Sequence, residues 1–469
     1  MPRSFPFPLF QSFERLLISD GLLMTAQRWK NAHDYHRRRQ NFHHQSLHQP
    51  GIVCGLGVSV IPAPMDVAAQ YRDGRWLQVQ PGIAIDLVGN PIIVPQPERF
   101  RIQSEPPPGQ SLLVYLVVSY VDPEQLRHPA GKENVWEQFR IVEKTNPSEL
   151  EVELCRIHLQ SGEVTLHPSV DVFAPRVNEL DLRYRQAVLS RPLGIVQVAQ
   201  VTSNTEQENH IASNLVHLLE SVTGLYPALA GDTEIGQIYP EALAQADLSN
   251  YDLLYLPCHQ LLTFEQPVLD SLGQYLNHGG VLLVVVDFEE VNLDELYVVK
   301  QELQVALDNL GSEAELVAMR QDLEAEIEAI DANITHQVQE IGDSIKSVAQ
   351  MMGHSLEGSG YLDRKHPLRL SPFLFAQFPL IGGQPVHLLN WDGIILMVGN
   401  LAECWGLDEA LTLSRETIRT AQEMGINLLQ FAWRRHQLTQ LQQSAPLAVT
   451  ASEGSQTLIQ QVPVSESGV

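Results

Sequence analysis

A cysteine and a histidine, Cys258 and His259, stand side by side after a short apolar run that stops at Pro257. A thiol next to an imidazole suggests covalent catalysis, because the imidazole can take the thiol proton and leave a nucleophilic thiolate. Adjacent residues on one loop rarely point at each other, however, and this turn lacks the glycines of a nucleophile elbow. The pattern therefore favours a partly buried structural cysteine over a catalytic pair.

An acidic residue, Asp287, ends the apolar run Val281–Val286. Open parallel sheets bind ligands at the carboxyl ends of their strands, so Asp287 and His259 are candidates for a small-molecule pocket. The alternative is that Asp287 caps a helix or accepts a hydrogen bond within a loop. We predict no nucleotide cofactor, because residues 202–206 lack both the dinucleotide and the Walker glycine patterns.

Two histidines, His33 and His36, lie three residues apart on one face of a predicted helix. That spacing allows two side chains to share a metal ion. The opposing interpretation is a solvated or interface-facing helix in which Arg37–Arg39 dock on an acidic neighbour. We favour this second interpretation, since no cysteine lies in the helix, and we predict no metal site.

The candidate residues of the central region belong to a predicted βαβ unit that spans residues 250–288. Tyr251–Leu256 and Val281–Val286 are apolar runs without polar alternation, as expected of strands that are covered on both faces in a parallel sheet. The helix between them has a cap residue at Thr263 and ends at Gly279–Gly280. We therefore predict an α/β domain around this unit.

An acidic stretch with a helical seam interrupts the α/β region at residues 291–353. Its apolar residues recur at steps of three and four, pause at Gly311–Ser312 and resume as far as Val348. Residues 289–352 hold 15 acidic and 3 basic side chains, which favours a basic partner surface. We predict a projecting helical hairpin or coiled coil that pairs within the chain or with a partner. The alternative is a long amphipathic helix packed on its own domain.

The part of the chain before the α/β region predicts a helix and a small antiparallel β-domain. Helical spacing extends from about Ser19 to His48, and short apolar strands such as Leu77–Ile85 and Leu112–Val121 follow it. The predicted fold class is therefore α+β followed by α/β. The predicted divisions are residues 1–180, an α/β domain at 190–290 and 360–440, the insertion at 291–353, and a disordered tail at 443–469.

Composition narrows the class of protein. The net charge of −26, from 30 basic and 56 acidic residues, argues against a general nucleic-acid or anionic-membrane binder. The four cysteines lack CxxC spacing, so we predict no disulfide framework or zinc knuckle, and we expect a cytoplasmic location. No apolar run reaches the roughly 18 residues that span a bilayer, and we expect no signal peptide.

Five short motifs, four of which contain glycine, follow one another in the first part of the chain. They are Asp20–Leu23, Tyr35–Arg37, Gly51–Val58, Val79–Asp86 and Gly89–Ile92. Their order, over roughly residues 15–170, resembles a module of baseplate and accessory proteins in contractile injection systems, the phage-tail-like particles of bacteria. The resemblance implies docking to other subunits and transfers no catalytic residue. Glycines at turns would explain the same pattern without any ligand.

A second set of motifs lies in the later half of the chain. They are His366-Pro367, Gly393, Ile394–Val398, Asn400, Cys404-Trp405 and Gly425–Asn427. With the βαβ unit, they resemble a flavodoxin-like domain of the class I glutamine-amidotransferase type. In active members of that family, a cysteine follows the strand after the crossover helix, but Asp287 and Phe288 stand at that point in this chain. The resemblance therefore implies a non-catalytic domain.

These patterns predict a structural component of a contractile injection particle that acts at the baseplate by protein–protein docking and is not an enzyme. We assign no catalytic, cofactor-binding or metal residues. The expected partners are other subunits, with several copies per particle and the coiled-coil arm on a neighbouring subunit, without nucleic acid or membrane insertion. Two alternatives stay open: an amidotransferase or hydrolase that uses Cys258 with His259, and a sensing module that binds a small molecule near Asp287.

Overall fold

The computed structural model describes residues 8, 11–123, 134–162, 164–310, 317–399, 401–407 and 412–443. The chain divides into two compact units, Pro2–Leu193 and Gly194–Val469. The first has antiparallel sheets and a leading helix, and the second has a mainly parallel sheet with helices, so the predicted combination of α+β and α/β is confirmed. The predicted disordered tail, apart from residue 443, lies outside the described residues.

The N-terminal unit contains one long helix and ten strands among its described residues. They are α1 (Ala26–Leu47), β1 (Gly51–Gly55), β2 (Val58–Val60), β3 (Trp76–Val79), β4 (Gly82–Ile85), β5 (Pro91–Val94), β6 (Glu98–Arg101), β7 (Ser111–Val121), β8 (Gln138–Lys144), β9 (Val152–Gln160) and β10 (Leu180–Asp181). The strands form antiparallel sheets in the orders β1-β4-β5, β2-β3-β6 and β10-β9-β7-β8. Inward-facing residues of these sheets, such as Leu77, Leu116 and Ile157, share one core.

Helix α1 begins several residues later than predicted, where the Thr25 hydroxyl accepts a hydrogen bond from the Arg28 N–H. Its C-terminal half is attached to the β4–β5 turn, where His44 Nδ1 lies 3.0 Å from the Gly89 carbonyl oxygen. Gly89 has a φ of +82°, and a Cβ there would lie 2.3 Å from the Asn41 carbonyl oxygen, so this close approach requires glycine. No side chain of α1 is buried.

The second unit alternates strands and helices. Its elements are β11 (Gly194–Val196), β12 (Val198–Val201), α2 (Glu206–Leu225), β13 (Leu229–Gly231), β14 (Gly236–Ile238), β15 (Leu253–Pro257), α3 (Cys258–Leu261), α4 (Gln266–Asn277), β16 (Val281–Val286), α5 (Leu293–Asn309), α6 (Val317–Met351), α7 (Pro367–Leu370), β17 (Leu380–Ile381), β18 (Gln384–Pro385), β19 (His387–Trp391), β20 (Ile394–Val398) and α8 (Arg415–Gln442).

A six-stranded sheet organises this unit, in the order β14-β12-β15-β16-β20-β19. Neighbouring strands are parallel except for β19, which runs antiparallel to β20. Counted along the chain, the parallel strands follow the order 2-1-3-4-5 of doubly wound sheets. One face packs against α2 and α8 and the other against α4 and α6. All residues of β16 are buried, which confirms the predicted strand Val281–Val286.

Turn residues in the sequence predict two helices, Leu407–Met424 and Asn427–Gln442, on either side of Gly425, and helix α8 differs from this prediction. The chain is helical without a break from Arg415 to Gln442. A Cβ on Gly425 would lie 2.8 Å from the Leu218 side chain and 2.8 Å from Trp405 Nε1. The glycine therefore permits close packing of α8 on α2, and it does not end a helix.

Helices α5 and α6 form an antiparallel hairpin within the chain. Lys300 Nζ lies 2.5 Å from Asp331 Oδ1, and Arg320 donates to the Leu310 carbonyl oxygen at 3.1 Å. Leu310 and Arg320 are close together in the sequence, whereas Lys300 and Asp331 are further apart. This order of contacts is expected of two antiparallel helices. The predicted pause at Gly311–Ser312 lies outside the described residues.

The two halves of this hairpin differ in burial. Five residues of the C-terminal half of α6 belong to the core under the sheet: Ile334, Val338, Ile345, Val348 and Ala349. The prediction that the whole insertion projects is therefore wrong for this half, because its apolar face is needed to cover the sheet. In the other half, which we call the arm (residues 299–310 and 317–331), Leu323 and Ile327 are half-buried and Met319 is exposed.

Candidate functional site

A cavity of about 290 Å³ lies at the carboxyl edge of the six-stranded sheet. The strand order reverses between β12 and β15, and doubly wound sheets bind ligands at this position. The cavity is lined by Gln200, Thr205, Gln207, Glu208, Ile211, Tyr255, Pro257, His259, Val285, Asp287, Glu290, Gly399, Ala402 and Glu403. Two of the residues singled out in the sequence, Asp287 and His259, thus face one space.

The Asp287 carboxyl is held at the end of β16 by a residue of α2. Its Oδ2 accepts a hydrogen bond of 3.3 Å from Gln207 Nε2. Burial raises the pKa of Asp287, and the negative charge of Glu289 raises it further. Asp287 is therefore a carboxyl that takes up a proton more readily than an ordinary surface aspartate.

His259 points toward a carboxylate and does not form a hydrogen bond with Cys258 among the described residues. Its Nδ1 lies 3.6 Å from Glu290 Oε1. Burial raises the pKa of Glu290, and the neighbouring His259 opposes that rise. The imidazole thus faces Glu290, a residue that the sequence analysis did not single out.

The Cys258 thiol is buried and belongs to the core on the α4 and α6 side of the sheet. Burial raises its pKa to about 11, and the negative charge of Glu290 adds to the rise. A nucleophilic cysteine needs the opposite, a thiolate stabilised near neutral pH. Cys258 does not line the cavity, and the Cys258–His259 pair that was kept as an alternative is not formed, in line with the favoured interpretation of a buried structural cysteine.

Glu208 is the most firmly held carboxylate of the cavity. It forms a capping box with Thr205 at the start of α2, and Gln260 Nε2 donates to its Oε1 at 2.8 Å. Although burial alone would raise the pKa of Glu208, hydrogen bonds from Thr205 and Ser203 hold it below its ordinary value. The Thr-x-x-Glu spacing in the sequence is the signal that could have identified this residue.

The cavity combines four carboxyl groups with one imidazole and with amide and hydroxyl groups. Such a lining favours a small cationic ligand, because its charge would offset the repulsion between the carboxylates. No group of three or more histidine, cysteine, aspartate or glutamate residues in the described part of the chain has the arrangement of a metal site. Among the residues that the structure describes, the lining holds no cysteine or serine that could act as a nucleophile.

A second set of charged residues lies in the N-terminal unit, where a groove of about 460 Å³ runs beside α1. We call it the basic groove, after its lining by Arg37, Arg38 and Arg140. Arg37 lies 3.0 Å from Asp34 and 3.7 Å from Asp122. Burial alone would lower the pKa of Arg37, but these two carboxylates raise it. Among the described residues, no carboxylate forms an ion pair with Arg38 or Arg140.

The two histidines considered as metal ligands, His33 and His36, contact aromatic neighbours. The His33 ring lies 5.3 Å from the Trp29 ring, and the His36 ring lies 5.2 Å from the Tyr35 ring. They are side chains on an exposed part of α1. Only their spacing in the sequence suggested a shared metal ion, and no third ligand from the described residues lies with them.

Large apolar side chains are exposed on α1 and the segment before it. Leu17 is 82% exposed, Ile18 72%, Leu23 74% and Trp29 60%. Single exposed apolar residues are common on proteins, but several within one short stretch indicate a surface that another molecule covers. We call these four residues the apolar patch.

Comparisons with known proteins show a family and a distantly similar solved structure. A family model described as "Domain of unknown function (DUF4159)" matches residues 197–433, about half of the chain. A solved structure entitled "Crystal structure of TssK" aligns with 9% sequence identity and a TM-score of 0.21, over 75% of this chain and 65% of that chain. This chain thus spans slightly less than two thirds of that protein, and a TM-score of this size carries no argument. No curated protein matches the chain.

Proposed function

This chain belongs to the DUF4159 family, and we propose that it is a docking component of a multi-subunit particle and not an enzyme. The observation that carries the proposal is the apolar patch, in which Leu23 and Trp29 are 74% and 60% exposed. Leaving such side chains in water has a free-energy cost that a partner subunit would remove. The N-terminal motifs quoted above support a contractile injection particle, with this chain at its baseplate.

In the α/β unit, the burial of Cys258 supports a non-catalytic role. Cys258 is 5% exposed and burial raises its pKa to about 11, so the thiol stays protonated at physiological pH. The resemblance stated in the sequence analysis implies that Asp287 stands where active amidotransferases carry their cysteine nucleophile. A carboxylate there can bind a ligand but cannot form the thioester of amide transfer.

Purification of the tagged chain from its native cells under gentle conditions, followed by electron microscopy, tests the proposal. We expect the chain to co-purify with tail-like particles. A Leu23→Ser/Trp29→Ser variant should remain folded but be lost from them, because the patch would no longer exclude water. Leu441→Ser, at a residue that is 71% exposed on α8, is the matched control and should still assemble. A chain that always purifies alone contradicts the proposal.

A second candidate function, ligand sensing, is favoured by the cavity at the sheet edge. Its carboxyl groups, among them Asp287, Glu290 and Glu208, face a volume of about 290 Å³. Thermal shift measurements with small amines of increasing size test this function, since a ligand that binds only the folded chain raises the melting temperature. The rise should disappear in Asp287→Asn/Glu290→Gln. Amines that give no rise in the unaltered chain would exclude this function.

A further inference from the structure

We propose that the acidic arm of one copy binds the basic groove of a second copy of this chain. The proposal rests on the docking function above and names the partner. The described part of the arm holds seven acidic and two basic residues. Both of these bases have partners within the arm, because Lys300 pairs with Asp331 and Arg320 binds the Leu310 carbonyl oxygen. The arm therefore has an excess of negative charge on its surface.

Three glutamates concentrate this charge on α6. Glu324, Glu326 and Glu328 are exposed, and no cation among the described residues forms an ion pair with them. Glu324 and Glu328 are four residues apart and thus neighbours on one helical face, where like charges repel. A partner that supplies positive charge at this face would remove that repulsion.

The basic groove supplies such charge. Arg38 and Arg140 line it without a carboxylate partner from the described residues, whereas Arg37 is already paired with Asp34 and Asp122. Arginine side chains bind carboxylates through two parallel hydrogen bonds, so two free guanidinium groups suit two glutamates on one helical face. The groove is 460 Å³ in volume, which admits side chains.

The elements that carry these charges also carry exposed apolar side chains. Val299, Val305 and Met319 are exposed on the arm, and Trp29 is exposed on α1, the helix that also carries Arg38. Contact between them would bury apolar area, which charges alone do not provide. Complementary charge would set the orientation and the rate of association, and the apolar contact would add affinity.

The base of the arm is held firmly enough to present it. The Tyr297 hydroxyl lies 2.5 Å from His387 Nε2, and Ile334 and Val338 are buried in the core of the same unit. Each copy offers one arm and one groove, and these are different surfaces. A contact of this heterologous kind links copies head to tail into rings or filaments, as a particle with several copies would use.

Sedimentation velocity of the purified full-length chain tests the contact. We expect association that increases with protein concentration and weakens when salt is raised from about 0.05 to 0.5 M, because salt screens the charges. Glu324→Lys/Glu328→Lys and Arg38→Glu/Arg140→Glu should each weaken association at least about tenfold, since like charges would then face each other. Mixing the two variants should restore association, because each then offers the other a surface of opposite charge.

Matched controls separate this contact from a general effect of net charge. Glu234→Lys/Glu357→Lys changes the net charge by the same amount as the arm variant, at exposed residues elsewhere, and should associate like the unaltered chain. A chain that stays monomeric at every concentration, or a mixture of the two charge variants that fails to associate, overturns the inference. Recovery of this chain in particles despite such a result would leave the docking function standing with another partner.

Discussion

Burial controls the ionisation of Cys258 and Asp287, two side chains that the sequence analysis considered for catalysis or ligand binding. It raises the pKa of the thiol to about 11 and also raises the pKa of the carboxyl. The thiol is thereby inactive near neutral pH, while the carboxyl titrates closer to it. At the scale of residues, the surroundings of a group and not its type decide what it can do.

The first residue-scale prediction concerns thiol reactivity. Cys54 is exposed, whereas Cys155, Cys258 and Cys404 are buried. With a disulfide reagent at pH 8, we expect one fast thiol that disappears in Cys54→Ser, and a Cys258 reaction at least about 100-fold slower, because few of its thiols are ionised. A second fast thiol that is lost in Cys258→Ala would restore the enzyme hypothesis.

The second residue-scale prediction concerns the pH dependence of stability. Because the pKa of Asp287 is higher in the folded than in the unfolded chain, its ionised form destabilises the fold at neutral pH, and this effect vanishes as pH falls toward the unfolded pKa of about 4. Asp287→Asn should therefore melt about 1–2 °C higher than the unaltered chain at pH 7 and equally at pH 3.5.

Asp247 provides the control for this measurement. Its hydrogen bonds to the Ser249 side chain and backbone lower its pKa, so its ionised form stabilises the fold above the unfolded pKa and loses that contribution as pH falls. Asp247→Asn should bring no gain at neutral pH. A gain in both variants would mean that removal of negative charge in general, and not the burial of Asp287, raises stability.

The two halves of the α5–α6 hairpin have similar amphipathic patterns but differ in burial. The distal half of the α5–α6 hairpin keeps its seam half-exposed, while the proximal half of α6 buries Ile334, Val338 and Ile345 in the core. Apolar spacing indicates a helix with a face to cover, but the sheet covers only the part of the helix that lies over it. The part of the α5–α6 hairpin that extends beyond the edge of the sheet is therefore the part that projects.

Shortening the hairpin at Lys300 and Asp331 should leave the unit folded. These residues are paired across the hairpin, so a turn of about four residues can join them when residues 301–330 are removed. Circular dichroism should show a cooperative transition within a few degrees of the full chain. Removal of Asp294–Met352 should abolish the melting transition of the second unit, because its core would lose Ile334 and Val338, while the N-terminal unit should still melt cooperatively. A shortened chain that unfolds would show that the arm supports its own domain.

Two helical glycines form a second element-scale test. Gly425→Ala in α8 should lower the free energy of unfolding by about 1–3 kcal/mol, since its Cβ would lie 2.8 Å from Leu218 and Trp405. At Gly224 in α2, an added Cβ would meet no atom within 4 Å, so Gly224→Ala should raise that free energy by up to about 1 kcal/mol through helix propensity. Equal effects of the two substitutions would contradict the packing assigned to α8.

The chain consists of two units with separate cores: one core in Pro2–Leu193, and a core on each face of the six-stranded sheet in Gly194–Val469. Units with their own cores commonly unfold on their own, and a single two-state transition is then not expected. The acidic arm belongs to one unit and the basic groove to the other, so a single chain carries both halves of the proposed contact.

Calorimetry should therefore resolve two melting transitions. Leu116→Ala, at a fully buried residue of β7, should lower only one of them, by the loss of packing that typically costs about 2–5 kcal/mol. Gly425→Ala should lower only the other. A substitution in one unit that shifts both transitions equally would show that the cores unfold together.

Much of the fold was predictable from local pattern. The buried run Val281–Val286, the helix that precedes it and the antiparallel character of the N-terminal unit all follow from apolar periodicity and turn residues, which act over short stretches of chain. The break placed near Gly425 was wrong, because glycine can end a helix or allow close packing, and only the neighbouring helix distinguishes these roles.

The sequence by itself determined which residues were available: the acid Asp287 directly after an unbroken apolar strand, and a surplus of negative charge in the insertion. Only the tertiary structure decided which of them meet. It turned His259 toward Glu290, buried Cys258, brought Glu208 to the cavity and left Arg38 and Arg140 beside one groove. Contacts of this kind join residues far apart in the chain, so they depend on how the sheets are ordered and not on any local spacing.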